Sequence, residues 1–198
     1  MSSYCTVNYI GGMTAAVLLF LYWQQPVFQL PSAAGARDLA PANLGFEEGT
    51  GPGLPREWSL LQEARINGYS AERSTKGCRT GAGCGVLAAG PQTAHDATGV
   101  ILQQFDAGPY QGKVMRLRAW VRLEDGGRSS AIRLALTTDG ERGEATFLQR
   151  GRGTDSREWT LAEVEGKIPF HAEQVQILIT LKGTGRAWVD DVSFEPAR

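Results

Sequence analysis

The sequence predicts an all-β protein, a β-sandwich preceded by an N-terminal hydrophobic helix, and three observations lead there. Period-two alternation of apolar and polar residues recurs along 37–198, where no helical period lasts more than about two turns. Glycine-rich turn signals separate the alternating runs. All 20 basic and 21 acidic residues fall in 37–198, which leaves 1–36 without a formal charge. The chain therefore divides into an apolar leader, 1–36, and one soluble domain, 37–198.

In the leader, the run Ile10–Trp23 is apolar apart from Thr14. Its length matches a secretory h-region of about 7–15 residues better than a full span of about 20. Ala34-Gly35-Ala36 follows as an A-x-A cleavage pattern. No Lys or Arg precedes the run, however, and the pattern lies well beyond Trp23. Segment 1–36 thus reads as a signal peptide or an N-terminal membrane anchor with linker, and the missing positive flank favours retention. Cys5 stands before the run, so a lipid-modified cysteine just after an h-region is not supported. A buried core helix is the remaining alternative. Either leading reading makes the protein exported, to the cell envelope or secreted, with membrane contact only through this segment.

Beyond the small-residue linker Pro31–Pro41, three runs carry the clearest strand signal. In Val114–Leu123, Met115, Leu117, Ala119, Val121 and Leu123 alternate with Arg116, Arg118, Trp120 and Arg122. Ile132, Leu134 and Leu136 do so in Ala131–Thr137, and Val175, Ile177, Ile179 and Leu181 in Val175–Lys182. Each such strand buries one face and wets the other, as antiparallel sheets do. Weaker strands are expected at Tyr69–Arg73, Val86–Ala89, Val100–Phe105, Ala145–Arg150, Trp159–Glu165 and Ala187–Glu195. The turns between them include Glu124-Asp125-Gly126-Gly127, Asp139-Gly140 and Lys182-Gly183-Thr184-Gly185. About nine short strands with such turns make a sandwich.

Composition excludes several classes. A net charge of −1 offers no global field for nucleic acid or an anionic membrane. At 42% hydrophobic the chain is too apolar for disorder, and 3 cysteines are too few for a disulfide scaffold. There is no G-x-S-x-G, Walker loop or H-E-x-x-H, and Gly81-Ala82-Gly83-Cys84-Gly85 fails the dinucleotide spacing. His95-Asp96 does not fix a catalytic geometry. No carboxylate pair is singled out for glycoside hydrolysis, which needs two at about 5–9 Å. The domain is not read as an enzyme.

The ends of the domain are more specific. Asn43-Leu44-Gly45-Phe46-Glu47-Glu48-Gly49 opens it, followed by Pro55 and Trp58, and Trp188-Val189-Asp190-Asp191-Val192-Ser193-Phe194-Glu195 closes it. Between them stand Gln103-Gln104-Phe105-Asp106-Ala107 and Tyr110-Gln111-Gly112-Lys113. This arrangement resembles the galactose-binding-like jelly-roll domains, in particular carbohydrate-binding modules of the cellulose- and xylan-binding type, over about 43–195. The resemblance implies a jelly-roll sandwich and a non-catalytic glycan-binding module with a poly- or oligosaccharide partner. It also implies a structural calcium ion held by Glu47 and Asp190, clamping the termini. The alternation places Trp188, Asp190, Val192 and Phe194 on one face, where an acid needs a partner or an ion. Pairing of Asp190 and Asp191 with arginines or solvent is the alternative. A structural or protein-interaction domain of a cell-envelope protein, without sugar binding, is the alternative function.

Lys76–Gly85, KGCRTGAGCG, departs from the pattern by enlarging a turn and adding two cysteines. Export permits a Cys78–Cys84 disulfide across the small residues between them. Free thiols or half of a metal site are the alternatives, though neither His95 nor His171 lies at ligand spacing.

The expected sugar site is Trp120 with Arg116, Arg118 and Arg122 on the polar side of their strand. An exposed indole stacks on a sugar ring, and guanidinium groups bond hydroxyls or uronates. Arg133 and Lys182 extend that face only if their strands share the sheet. The alternative is a Trp120 covered by a loop beside an ordinary solvated charge face. Trp58, Trp159 and Trp188 are assigned to core or edge packing.

Overall fold

In a computed structural model that describes residues 40–49, 53–139 and 145–197, every alternating run becomes a strand. The elements are β1 (Ser59–Leu60), α1 (Gln62–Ile66), β2 (Tyr69–Ser74), β3 (Cys84–Ala89), β4 (Thr98–Asp106), β5 (Val114–Glu124), β6 (Ala131–Asp139), β7 (Ala145–Arg150), β8 (Thr160–Lys167), β9 (Gln174–Lys182) and β10 (Arg186–Pro196). A 3-10 turn, Gly108–Tyr110, leads towards β5. The leader, with its N-terminal helix, signal and anchor readings, lies outside the described residues. No helix among the described residues is long and apolar enough to cross a membrane.

The strands form two five-stranded antiparallel sheets, β1-β4-β9-β6-β7 and β2-β3-β10-β5-β8. Period two decides what lies between them. Met115, Leu117, Ala119, Val121 and Leu123 of β5 are all buried. They face Ile132, Leu134 and Leu136 of β6 and Val175, Ile177, Ile179 and Leu181 of β9 in one core cluster. Burying side chains of this size contributes about 1.5–3 kcal/mol each, which is why the alternation dictates the register. Tyr69 reaches through the core edge to donate its hydroxyl to the Gly183 carbonyl at 2.6 Å. Burial pushes that phenol up to about 12.

Two expectations about faces are corrected. Arg133 lies on β6 and Lys182 on β9, in the first sheet, so neither extends the arginine face of β5. In β10 the register against β5 shifts between Asp190 and Ser193. Asp191 there adopts φ 48, a left-handed conformation that accommodates one extra residue. Side-chain parity changes at this bulge. Trp188 and Asp190 face outward opposite Arg122 and Trp120, whereas Phe194 lies opposite Leu117 and turns inward. The single alternating face predicted for Trp188, Asp190, Val192 and Phe194 is therefore split. Phe194 instead packs edge-on against Phe105 and Tyr110.

Candidate functional site

The outer face of the β2-β3-β10-β5-β8 sheet is built from the polar halves of the alternating strands. On β5 it carries Arg116, Arg118, Trp120 and Arg122, as the sequence predicts. Their neighbours follow from register: Arg116 opposes Glu165 and Arg118 opposes Glu163 on β8. Across β10, Arg118 opposes Ser193 and Arg116 opposes Glu195.

These neighbours divide the four predicted residues into two pairs. Arg116 donates from Nε to Glu165 at 2.6 Å, and Arg118 from Nε to Glu163 and from Nη1 to Glu195 at 3.3 Å. The Arg118 hydrogen bond holds the Glu163 carboxyl below its usual range. Arg116 and Arg118 thus belong to a carboxylate ladder. Being solvent-exposed, such pairs contribute little to stability.

Arg122 and Trp120 have aromatic company instead. The Arg122 guanidinium stacks between two indoles, 4.5 Å from the Trp188 ring centroid and 5.3 Å from that of Trp159. Its Nε is buried without a hydrogen-bond partner. Trp188 is fixed by its indole N–H, which donates to Glu124 at 2.7 Å. Trp120 is half-buried, because Arg79 lies over its ring at 3.9 Å. Trp159 and Trp188, assigned from sequence to packing, therefore join Trp120 and Arg122 on one outward face. Trp188 carries a signal for this in its alternation with Val189. Arg79 carries none, since it lies in an aperiodic loop.

That loop is the enlarged turn. Cys78 and Cys84 form a disulfide with a Cα–Cα distance of 5.4 Å, so the free-thiol and metal alternatives fall away. The loop folds over the end of the outer face and turns its amides toward acids. Asp190, fully buried, accepts from Arg79 N–H at 2.8 Å and Thr80 N–H at 3.0 Å on Oδ2, and from Asp191 N–H at 2.8 Å on Oδ1. Asp191 takes the Arg79 guanidinium at 2.6 Å and the Thr80 hydroxyl at 2.7 Å. Glu47 accepts from Ala82 N–H at 2.7 Å. Replacing Cys78 and Cys84 together by alanine should lower stability by about 2 kcal/mol, through the freed loop entropy of the unfolded chain. Urea unfolding reads this as a lower midpoint, and an unchanged midpoint would show that packing alone holds the loop.

Calcium takes six to eight oxygen donors. Here the Asp190 and Glu47 carboxylates face N–H donors, and a guanidinium covers the carbonyls of Phe46, Glu47 and Ala82. No group of three or more His, Cys, Asp or Glu among the described residues is placed to hold a metal. This donor set does not fit the ion that the resemblance implies.

The opposite outer face, on β4, β9 and β6, is different in kind. Thr137 donates to Gln176 at 2.9 Å, Gln176 to Gln104 at 2.9 Å, and Gln104 to Gln174. Those amides are satisfied by each other, and no aromatic joins them among the described side chains. An open cavity of about 520 Å³ lies between β1, α1 and β2, lined by Leu54, Leu60, Arg65 and Ser70 among others. It belongs to the sandwich edge, where Trp58 lines it, and Trp120, Trp159 and Trp188 take no part in it.

No family model and no curated protein matches the sequence. Solved structures do match. The CBM22-2 xylan-binding domain of Paenibacillus barcinonensis Xyn10C superposes with a TM-score of 0.57 at 12% identity, covering 78% of this chain and 98% of that one. TmCBM61, solved in complex with β-1,4-galactotriose, gives 0.52 at 15% identity, over 82% of this chain and 100% of that one. A CBM4 structure gives 0.54 at 15% identity, over 80% and 100%. These likenesses establish the fold, a jelly-roll β-sandwich like that of these three modules.

Proposed function

We propose that this chain is a non-catalytic glycan-binding module of an exported protein, and that it takes an oligo- or polysaccharide on the outer face of the β2-β3-β10-β5-β8 sheet. The observation that carries the reading is the gathering of Trp120, Trp159 and Trp188, all half-buried, on one outward face. A solvated sheet surface has no need of three indoles, whereas the C–H face of a sugar ring stacks on such planes. Fold likeness to modules solved as xylan-binding or with galactotriose supports the ligand class. The Cys78–Cys84 disulfide supports an oxidising compartment.

The platform is shallow, so affinity is expected between micromolar and millimolar, about −8 to −4 kcal/mol. The test is a glycan array of neutral and acidic glycans with the full chain, followed by titration of each hit. Trp120→Ala and Trp159→Ala should weaken binding at least about tenfold, the scale of 1.4 kcal/mol. Arg116→Ala and Arg118→Ala should leave it nearly unchanged, because their guanidiniums are engaged with Glu163, Glu165 and Glu195.

One observation favours the second reading, a structural or protein-interaction domain. Guanidiniums already occupy faces of all three indoles, Arg79 on Trp120 and Arg122 between Trp159 and Trp188. Absence of binding across the whole array would leave that reading standing.

A further inference from the structure

The segment before β1 and the last strand meet at the disulfide loop, and the residue that gathers them is Arg73 on β2. Its Nε donates to the Phe46 carbonyl at 2.6 Å, and its Nη2 to the carbonyls of Glu47 at 2.8 Å and Ala82 at 3.1 Å. One forked cation thus draws three main-chain oxygens together, two from the N-terminal segment and one from the loop. The carboxylates nearby are answered separately, Glu47 by the Ala82 amide and Asp190 by the amides of Arg79 and Thr80. The fit is close enough to demand glycine. A Cβ on Gly83 would lie 2.2 Å from the Phe46 carbonyl and 2.5 Å from Arg73 Nε. A Cβ on Gly81, whose φ is +58, would lie 1.7 Å from Glu47 Oε1.

We infer that the Arg73 guanidinium, backed by the disulfide-closed loop, takes the place of a bound cation in fastening the segment before β1 to β10, so that this closure needs no metal. A divalent ion holds such a junction by gathering carbonyl and carboxylate oxygens at one centre. Here the two jobs are divided: Arg73 gathers the carbonyls, and main-chain N–H groups meet the carboxylates. The inference goes beyond glycan binding and does not rest on it.

Thermal melting of the full chain, in millimolar calcium and in chelator, tests it. Wild type is expected to melt at the same temperature in both. Arg73→Ala should melt roughly 5–10 °C lower in chelator and should recover part of that loss in calcium, because the three carbonyls are then free to ligate. A wild-type melting temperature that rises with calcium would overturn the inference. So would an Arg73→Ala protein as stable as wild type, or one destabilised with no response to calcium. If Arg73→Ala does not fold, Arg73→Lys, which keeps the charge but loses the fork, should melt between the two expected values. Calorimetric titration of wild type with calcium chloride supplies a readout free of any variant. Saturable binding at millimolar calcium or below would refute the inference, and its absence would support it.

Discussion

Replacing Phe46 with alanine is expected to destabilise the domain by about 4 kcal/mol, within the range for truncating a buried aromatic. Phe46 is fully buried, and its ring stacks on Trp58 at a centroid distance of 4.7 Å. The ring also fills the space over Gly85, where an added Cβ would lie 2.8 Å from Phe46 Cε1. Alanine leaves a cavity bounded by Trp58 and β3, which a sheet held in register on both sides cannot collapse to fill. The ring also holds the backbone. Phe46 adopts φ 59, a conformation that costs an L-residue about 1–2 kcal/mol and persists only because the surroundings enforce it. With the ring gone, the Asn43–Phe46 turn and the Ala42–Gln103 contacts, at 2.7 and 2.8 Å, lose their anchor. Denaturant unfolding measures the loss. A change under about 1 kcal/mol would mean that the opening N-x-x-F-E segment is an accessory to the sandwich and not part of its core.

How much of this is legible in the sequence depends on periodicity. Val114–Leu123 announces a half-buried strand because five apolar residues at spacing two have no other use, and all five are buried. The other eight runs also become strands, including weak ones such as Ala145–Arg150. Ser59–Leu60 is too short to show a period, so nothing in the sequence predicts β1. The bulge at Asp190–Ser193 is invisible for a different reason: an extra residue preserves local alternation on each side while reversing the face across it. Trp188 lies before that reversal, on the outer face opposite Arg122. The carboxylate ladder of Arg116 and Arg118 depends on β8 lying beside β5, a fact of topology that no single strand encodes. Arg73 and Arg79 are hardest, since their roles are contacts between segments far apart in the chain. Cys78 and Cys84 announce the loop, but of its contacts only Gly81 and Gly83 give a hint, by allowing a backbone approach that other residues would block.

Asp190→Ala is expected to lower stability by about 3 kcal/mol, and its conservative counterpart tells why. The carboxylate satisfies three main-chain N–H groups in a buried position, and each donor left unpaired costs about 1–3 kcal/mol. Some of that is recovered when the loop relaxes into water, which keeps the total near 3 rather than at the sum. Asp190→Asn keeps the volume but turns an N–H₂ toward donors, so it should lose about 1–2 kcal/mol of the same interaction. The pH dependence separates this from simple packing. Burial pushes the Asp190 carboxyl above its ordinary value of 3.8, outweighing the N–H groups of Thr80, Asp191 and Arg79 that pull it down. The folded state therefore holds the proton to higher pH than the unfolded chain does. The contribution of this group to stability is full below the unfolded value and is lost as pH rises through the folded one. Wild-type stability minus that of Asp190→Asn should accordingly fall as pH increases from about 4 toward neutrality. The matched variant cancels the exposed Arg–Glu pairs, whose own linkage has the opposite sign, as the lowered Glu163 carboxyl requires. Urea midpoints for both proteins across that window give the difference directly. A difference that is flat, or that grows with pH, would show that the loop amides and not burial dominate the environment of Asp190.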